Sequence, residues 1–340
     1  MTAPKMGTHD NKKKYRFLRA MEISPKDDAF HGNINLLDVE WWYFDAILEN
    51  GYSVHMGVRI YHLGNSGIVQ SRITVYREGK SVVEAVKTDL YSNTNISSEI
   101  PLIEINGRPV IEFDQKHYKK TGRWQYHLSL HIDNHAINLT FDGMTPGWKV
   151  ETSDTCWAVA LPKAKVQGTI KVNGQEFRVK GVGYHDHNWG YPPPLPVSLN
   201  YQGWFWGRIH FDTMGITWAR VMMGEKEDLL AVVNRDSYDH KQGVFYSIPP
   251  DNIMLETGGF VKNRWQQIPT EFELQIKDVV PGCENLNADV QMKTIDVHYS
   301  RIFTFHYWRY HMQASGEITA DGTTERLHGK PQIIEFLCIK

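Results

Sequence analysis

The stretch YSVHMGVRIYHL (52–63) decides the fold class, because its side chains alternate in character. Every second residue from Tyr52 to Ile60 is apolar, and the residues between them are small or polar, which is typical of a strand with one buried face. Hairpin turns separate similar runs at Asn50-Gly51, Asn106-Gly107, Asp133-Asn134, Asn173-Gly174 and Asp321-Gly322. The sequence therefore predicts an all-β chain, and closed barrels are one way in which such sheets avoid exposed edges.

Two segments of this chain repeat each other. GTIKVNGQEFRVKG (168–181) and GEITADGTTERLHG (316–329) carry glycines six and then seven residues apart, at a constant offset of 148 residues. More loosely, EWWYFDAILENGYSVHMGVRIY (40–61) resembles GWFWGRIHFDTMGITWARVMM (203–223). Two copies of one β unit explain this pattern. The predicted boundaries are a tail (1–29), a first domain (30–191), a proline-rich linker (192–200) and a second domain (201–340).

Composition excludes several classes of protein. The 340 residues include only three cysteines, which suits a reducing compartment, and the net charge of −2 gives no electrostatic footprint for nucleic acid. The basic run Lys12 to Lys14 has no apolar core behind it and is thin support for transient membrane contact. We predict a soluble, cytoplasmic protein without a transmembrane segment. Its 11 tryptophans are typical both of wide cores and of pockets for large apolar ligands.

The segment before the proline-rich linker, GVGYHDHNWG, concentrates the candidate chemistry. If it is extended, its side chains alternate between two faces. One face carries Tyr184, Asp186 and Asn188, and the other carries His185 and His187. The repeat offers an internal comparison, because the offset of 148 matches YHDH (184–187) with the mostly apolar QIIE (332–335). We interpret the polar cluster as chemistry rather than architecture, since the second copy does without it.

A metal site is one interpretation of this segment. His185-x-His187 could chelate an ion, as two histidines on one strand do in cupin-like barrels. No glutamate follows within several residues, and although His31, His55 or Glu40 could add a ligand, nothing in their spacing demands one. We therefore predict no metal and no cofactor.

An acid catalyst is the other interpretation. An aspartic acid buried among apolar groups keeps its proton near neutral pH, and aromatic faces stabilise a developing cation. Asp186 and Tyr184 are the predicted catalytic residues, with His185 and His187 as supporting proton carriers. The predicted substrate-binding residues are Glu40, Trp41, Trp42, Tyr43, Trp157, Asn188, Trp189, Trp204 and Trp206. Two plainer alternatives stay open: Asp186 caps a turn, and Glu40 lies at a strand mouth without a chemical role.

Three segments together carry a family resemblance. Glu40-Trp41-Trp42-Tyr43, Cys156-Trp157 leading to Leu161-Pro162, and the YHDHNWG motif at 184–190 resemble the carotenoid 1,2-hydratase (hydroxyneurosporene synthase) family and its AttH-like, lipocalin-like relatives. These relatives include fungal hydratases and intramolecular Diels–Alderases. The resemblance covers about residues 30 to 340. It implies two tandem lipocalin-like antiparallel β-barrels, no cofactor, and a catalytic pair at the positions of Tyr184 and Asp186.

The residues and the resemblance together predict a hydratase. Asp186 would protonate a carbon–carbon double bond of a hydrophobic, isoprenoid small molecule, and water would capture the cation. One alternative is a cyclase or pericyclase that orients a polyene. Another is a non-catalytic, lipocalin-like carrier of a hydrophobic metabolite.

Overall fold

The computed structural model describes residues 15, 17–32, 39–63, 66–151, 156–191, 201–223, 226–236, 243–277, 282–302 and 305–339. The chain is nearly all β, with one nearly closed barrel and a second large sheet, as the sequence predicts. Within the described ranges, the helices are α1 (Gln115–Thr121) and the 3-10 helices Pro25–Asp28, Tyr91–Asn93 and Pro250–Asn252. Across the described ranges, no helix is both long and apolar enough to cross a membrane.

The first sheet collects the strands of the N-terminal half. They are β1 (Met21–Glu22), β2 (Val39–Leu48), β3 (Tyr52–Leu63), β4 (Ser66–Arg77), β5 (Lys80–Leu90), β6 (Thr94–Ile96), β7 (Leu102–Ile105), β8 (Arg108–Phe113), β9 (Gln125–Ile132), β10 (His135–Gly143), β11 (Trp148–Glu151), β12 (Cys156–Val172) and β13 (Gln175–Tyr191). Their order is β5-β4-β3-β2-β13-β12-β10-β9-β8-β7-β6, and β11 joins β1 to β12. Phe44, Val58 and Phe141 are among the buried side chains of its core.

The second sheet is built from the C-terminal half. Its strands are β14 (Tyr201–His210), β15 (Met214–Met223), β16 (Lys226–Arg235), β17 (Val244–Ile248), β18 (Ile253–Gly258), β21 (Glu271–Ile276), β22 (Asn287–Ile302), β23 (Phe305–Ala320) and β24 (Thr323–Ile339), while β19 (Val261–Asn263) and β20 (Gln266–Ile268) form a separate hairpin. The order is β17-β16-β15-β14-β24-β23-β22-β21-β18. Its core includes Trp218, Phe272 and Trp308.

The two sheets share one strand order around their longest strands. In the first, β13 lies between β2 and β12, and in the second, β24 lies between β14 and β23. Gly168 and Gly316 hold equivalent positions, with φ of 149° and 146°. A Cβ on either would lie 2.1 Å from a carbonyl oxygen of the neighbouring strand, so both positions require glycine. These correspondences support the repeat inferred from the sequence.

One part of the repeat alignment is wrong. Gly168 pairs with Val179 and Gly316 with Leu327, as the offset of 148 requires. Val166 then pairs with Gly181, whereas Ala314 pairs with Lys330 across a bulge, so the second copy has one extra residue. The counterpart of Asp186 is therefore Glu335 and not Ile334. The second copy keeps an acid at this position, whereas the counterparts of Tyr184, His185 and His187 are the apolar residues Ile333, Ile334 and Phe336.

The predicted tail and linker are only partly covered by the described residues. Residues 192–200, the predicted linker, lie outside the described residues, as does the basic run at 12–14. Within the predicted tail, Ala20 is buried and β1 pairs with β11. Asp28 is completely buried and accepts a hydrogen bond from the Tyr126 hydroxyl. The end of this segment therefore packs into the first barrel.

Candidate active site

The strand β13 presents its two sets of side chains to two different environments. Tyr184 packs in a cluster that includes Trp206 and Ile333 of the second sheet. His185 stacks against Phe44 of the first core, with ring centroids 3.7 Å apart. The contacts confirm the alternation predicted from the sequence. One face of β13 therefore looks toward the second sheet, and the other looks into the first barrel.

Asp186 lies on the face toward the second sheet and is 6% exposed. Its Oδ2 accepts hydrogen bonds from Trp157 Nε1 at 2.8 Å and from the Tyr184 hydroxyl at 2.9 Å. Its Oδ1 accepts one from Asn188 Nδ2 at 3.1 Å. The pairing of Trp157 with Asn188 across β12 and β13 brings the indole to the carboxyl. Three neutral donors thus hold one buried acid.

The proton affinity of Asp186 suits acid chemistry near neutral pH. Burial raises the pKa of its carboxyl from the ordinary 3.8 to about 7, although the hydrogen bonds from Trp157 and Tyr184 oppose this rise. Burial also raises the pKa of the Tyr184 hydroxyl well above its ordinary value, so the tyrosine stays protonated. Asp186 is therefore able both to donate a proton and to take one back at neutral pH.

Aromatic rings surround this acid between the two sheets. The Tyr184 and Trp206 ring centroids are 4.8 Å apart, and Tyr43 meets both rings edge-on at 6.2 and 5.6 Å. Trp41, Trp157 and Trp204 pack on the same cluster and are only partly buried. We call these six side chains the inter-sheet cluster. The structure thus brings six predicted residues together, and Asp186 and Asn188 belong to the same site.

Five other predicted residues lie on the opposite face of the sheet. They are Glu40, Trp42, His185, His187 and Trp189. The two nitrogens of His185 lie 2.9 Å from the Tyr43 carbonyl oxygen and 3.0 Å from Asp28 Oδ2. His187 stacks on Trp42, with centroids 4.1 Å apart. Neither histidine side chain shares the face of Asp186, so the predicted supporting role has no direct hydrogen bond to carry it.

A second buried acid on the inter-sheet side was missed by sequence reasoning. Glu335 Oε1 lies 2.7 Å from the Tyr43 hydroxyl and 2.5 Å from both the Tyr307 hydroxyl and Arg309 Nη1. Burial raises the pKa of its carboxyl, although Arg309 opposes the rise. The signal that could have found it is the strand alternation, once the bulge before Lys330 is counted.

An ion-pair group joins the two sheets beside Glu335. Arg208 Nε donates to Asp45 Oδ1 at 2.9 Å, and Arg309 Nη2 lies 3.4 Å from Asp45 Oδ2. Burial alone would raise the pKa of Asp45, but the two guanidinium groups hold it below its ordinary value. Asp45 follows Tyr43 on the same face of β2, which is the pattern that could have identified it. This charged group fixes the two sheets against each other at one side of the inter-sheet cluster.

Donor atoms that could hold a metal ion also converge in the first barrel. His31, Glu40 and His187 each offer one such atom, and these atoms lie within 4.8 Å of one another. His185, which the sequence interpretation paired with His187, is not among them and faces Asp28 instead. The group is separated from the Asp186 carboxyl by the sheet itself.

Comparisons with known proteins identify a family and several structures that are similar to this chain. The sequence model of a family described as AttH-like matches residues 19–330. The quinolone epoxide rearrangement protein asqO of Emericella nidulans is 21% identical over 288 residues, which are 75% of this chain and 74% of asqO. Kievitone hydratase of Nectria haematococca has a TM-score of 0.54 at 12% identity, covering 96% of this chain and 99% of its own. CghA, solved with Sch210972, has a TM-score of 0.60 at 12% identity, covering 89% and 88%. These structural likenesses establish a common fold.

Proposed function

Because the chain belongs to the AttH-like family, we propose that it is an enzyme whose Asp186 protonates a carbon–carbon double bond. The observation that carries this proposal is a buried carboxyl with a pKa of about 7 inside an aromatic cluster. The substrate class that fits is a hydrophobic small molecule, and an isoprenoid with an electron-rich trisubstituted double bond is the one we propose. The carotenoid hydratase resemblance supports the same chemistry.

The reaction is redox-neutral and balanced by water alone. The π electrons of the alkene take the Asp186 proton, forming a C–H bond, a tertiary cation and an aspartate. Water adds to the cation, and the aspartate takes back one of the water protons, which restores the acid. The hydrogen bonds from Trp157, Tyr184 and Asn188 stabilise the aspartate formed in the first step. The rings of Tyr184 and Trp206 would stabilise the cation through their quadrupoles.

A rearrangement without added water is the second candidate. The relative asqO is described as a quinolone epoxide rearrangement protein, and a protonated Asp186 would open an electrophilic ring by the same donation. The opened product would then return a proton to the Asp186 carboxylate, which restores the acid. A cyclase would orient the reacting atoms of the substrate in the same site and would incorporate no water. A carrier would bind the same ligand stoichiometrically and form no product.

The test is turnover of candidate terpenoid polyenes in heavy water by the wild-type chain and by Asp186→Asn. Hydration adds one deuteron to carbon and one hydroxyl, a rearrangement adds no water, and a carrier gives no product. We expect Asp186→Asn to lose more than about 100-fold in rate, since general acid catalysis contributes about 10²- to 10⁴-fold. Asp133→Asn, at an exposed hairpin turn with a φ of 51°, is the matched control and should retain the rate. Unchanged turnover in Asp186→Asn would refute the acid role.

A further inference from the structure

Three side chains with potential metal-ligand atoms meet on the barrel side of β13, away from Asp186. Glu40 Oε1 lies 2.9 Å from His187 Nε2 and 3.1 Å from His31 Nδ1. His187 is completely buried, Glu40 is 2% exposed and the His31 side chain is 22% exposed. Glu40 is the second residue of β2, His187 lies on β13, and His31 follows the 3-10 helix Pro25–Asp28. The three donors come from three separate segments of the first domain.

Several polar atoms in this group have no hydrogen-bond partner among the described residues. They are Glu40 Oε2, Asp28 Oδ1 and His187 Nδ1. His187 lies between two carboxylates, with Nε2 facing Glu40 and Nδ1 3.6 Å from Asp28 Oδ1. A neutral imidazole has one N–H and one lone pair, so one of its nitrogens must present a lone pair to a carboxylate. A cation bound between Nε2 and Glu40 removes that conflict, since Nδ1 then keeps the proton toward Asp28.

The arrangement matches the outer sphere that metal-bound histidines use. A ligating histidine commonly directs its other nitrogen at a carboxylate, which fixes the tautomer and the ring orientation. Asp28 occupies that position behind His187, and its Oδ2 is held by Tyr126 and His185. The ligand rings are also fixed by stacking: His31 lies on Trp189 at 3.6 Å and 7°. The site is therefore organised before an ion enters.

The donor set selects the class of ion. Two imidazole nitrogens and one carboxylate suit Zn²⁺ and its neighbours, whereas Mg²⁺ and Ca²⁺ prefer oxygen ligands alone. Bonds of about 2.0–2.1 Å in a tetrahedral site place ligand atoms about 3.3 Å apart. The separations of 2.9 and 3.1 Å from Glu40 Oε1 are within a few tenths of an ångström of this value, and the two imidazole nitrogens lie within 4.8 Å of each other. The His31 side chain is 22% exposed, and water would supply the fourth ligand.

We propose that His31 Nδ1, the Glu40 carboxylate and His187 Nε2 bind one divalent transition-metal ion of the zinc class. The ion would connect the N-terminal segment, through His31, to two strands of the first sheet. Its position on the reverse face of β13 separates it from the chemistry assigned to Asp186. The site is therefore a second, independent binding function of the first domain.

Zinc binding by the full chain tests the proposal. After chelator treatment and dialysis, the wild-type protein should take up one Zn²⁺ per chain, and Co²⁺ should give the visible absorption bands of a four-coordinate site. His31→Ala should weaken Zn²⁺ affinity more than about 100-fold, because loss of an outer-sphere partner alone costs about 10- to 100-fold. Glu40→Gln removes the charged ligand and should do the same. His131→Ala, at an exposed position on β9, is the matched control and should bind as the wild type does.

Each outcome decides the question. The melting temperature should rise with Zn²⁺ in the wild type and in His131→Ala but not in His31→Ala, which shows folding and site occupancy in one measurement. Binding of less than one ion by the folded wild-type chain overturns the proposal. Equal affinity in the wild type and His31→Ala overturns it as well, as does loss of binding in His131→Ala, since the ion would then be held elsewhere.

Discussion

Replacing Asp186 by asparagine should make the protein more stable, and increasingly so as the pH rises. The folded chain holds the carboxyl in a buried site where its pKa is raised to about 7. In the unfolded chain the same group titrates near its ordinary value of 3.8. Asparagine is nearly isosteric and carries no charge. Its oxygen can accept the bonds from Trp157 and Tyr184, and the amide of Asn188 can turn its oxygen toward the new NH₂ group.

The size of the effect comes from the difference between the two pKa values. Between pH 3.8 and about 7 the unfolded chain has released a proton that the folded chain retains, so the wild type loses stability as the pH rises. Each unit of pKa difference corresponds to about 1.4 kcal/mol, which gives about 4 kcal/mol over the whole window. Above pH 7 both states are ionised and the loss is complete. Below pH 4 both are protonated and the loss disappears.

Urea unfolding at a series of pH values from 4 to 8.5 measures this difference. The free energy of unfolding of Asp186→Asn minus that of the wild type should grow by about 4 kcal/mol between pH 4 and pH 8 and then level off. Asp133→Asn, at an exposed turn, should give a difference that changes little with pH. A pH-independent difference for Asp186→Asn, or one that falls as the pH rises, would refute a raised pKa for this carboxyl.

Two further substitutions test the surroundings of the acid. Tyr184→Phe removes a hydrogen bond that lowers the pKa of Asp186, so the pH–rate profile should shift to higher pH, and an unshifted profile would contradict the contact. Arg309→Met leaves the buried carboxylates of Asp45 and Glu335 short of a cation and should lower the free energy of unfolding by about 3–5 kcal/mol, measured in urea. Arg220→Met breaks a partly exposed pair with Glu227 and should cost less than about 1 kcal/mol, so equal losses in the two variants would argue against the buried group.

Features that depend on residues adjacent in the sequence could be predicted from the sequence. Alternation along the strand placed Tyr184 and Asp186 on one face and the two histidines on the other, and the contacts agree. The same alternation indicated an all-β chain, which the fold shows. A strand pattern fixes which residues share a face, but it does not say which face meets another sheet. The assignment of Trp42 and Trp189 to the substrate side was made without that information.

Features that depend on the pairing register between strands could not be predicted from the sequence. The contact of Trp157 with Asp186 requires the pairing of β12 with β13 through two irregularities, at Ala158–Leu161 and Leu161–Ala164. Glu335 escaped notice because a single residue in a bulge exchanges odd and even positions downstream of it. The proximity of His31 to Glu40 and His187 depends on how a short N-terminal segment packs against the barrel. The alternation of side chains along a strand carries no information about that packing.

The extra residue in the second copy has a consequence for anyone who recombines the two halves. A graft of the Tyr184–Asn188 segment placed by residue counting, at an offset of 148, would direct the transplanted acid into the core of the second sheet. Glu335 pairs with Trp206 on the neighbouring strand, as Asp186 pairs with Tyr43. A graft aligned on these paired residues would place its acid between the sheets. Chimaeras of the two halves should therefore be designed from hydrogen-bonded neighbours and not from sequence spacing, because spacing alone buries a charged group in an apolar core.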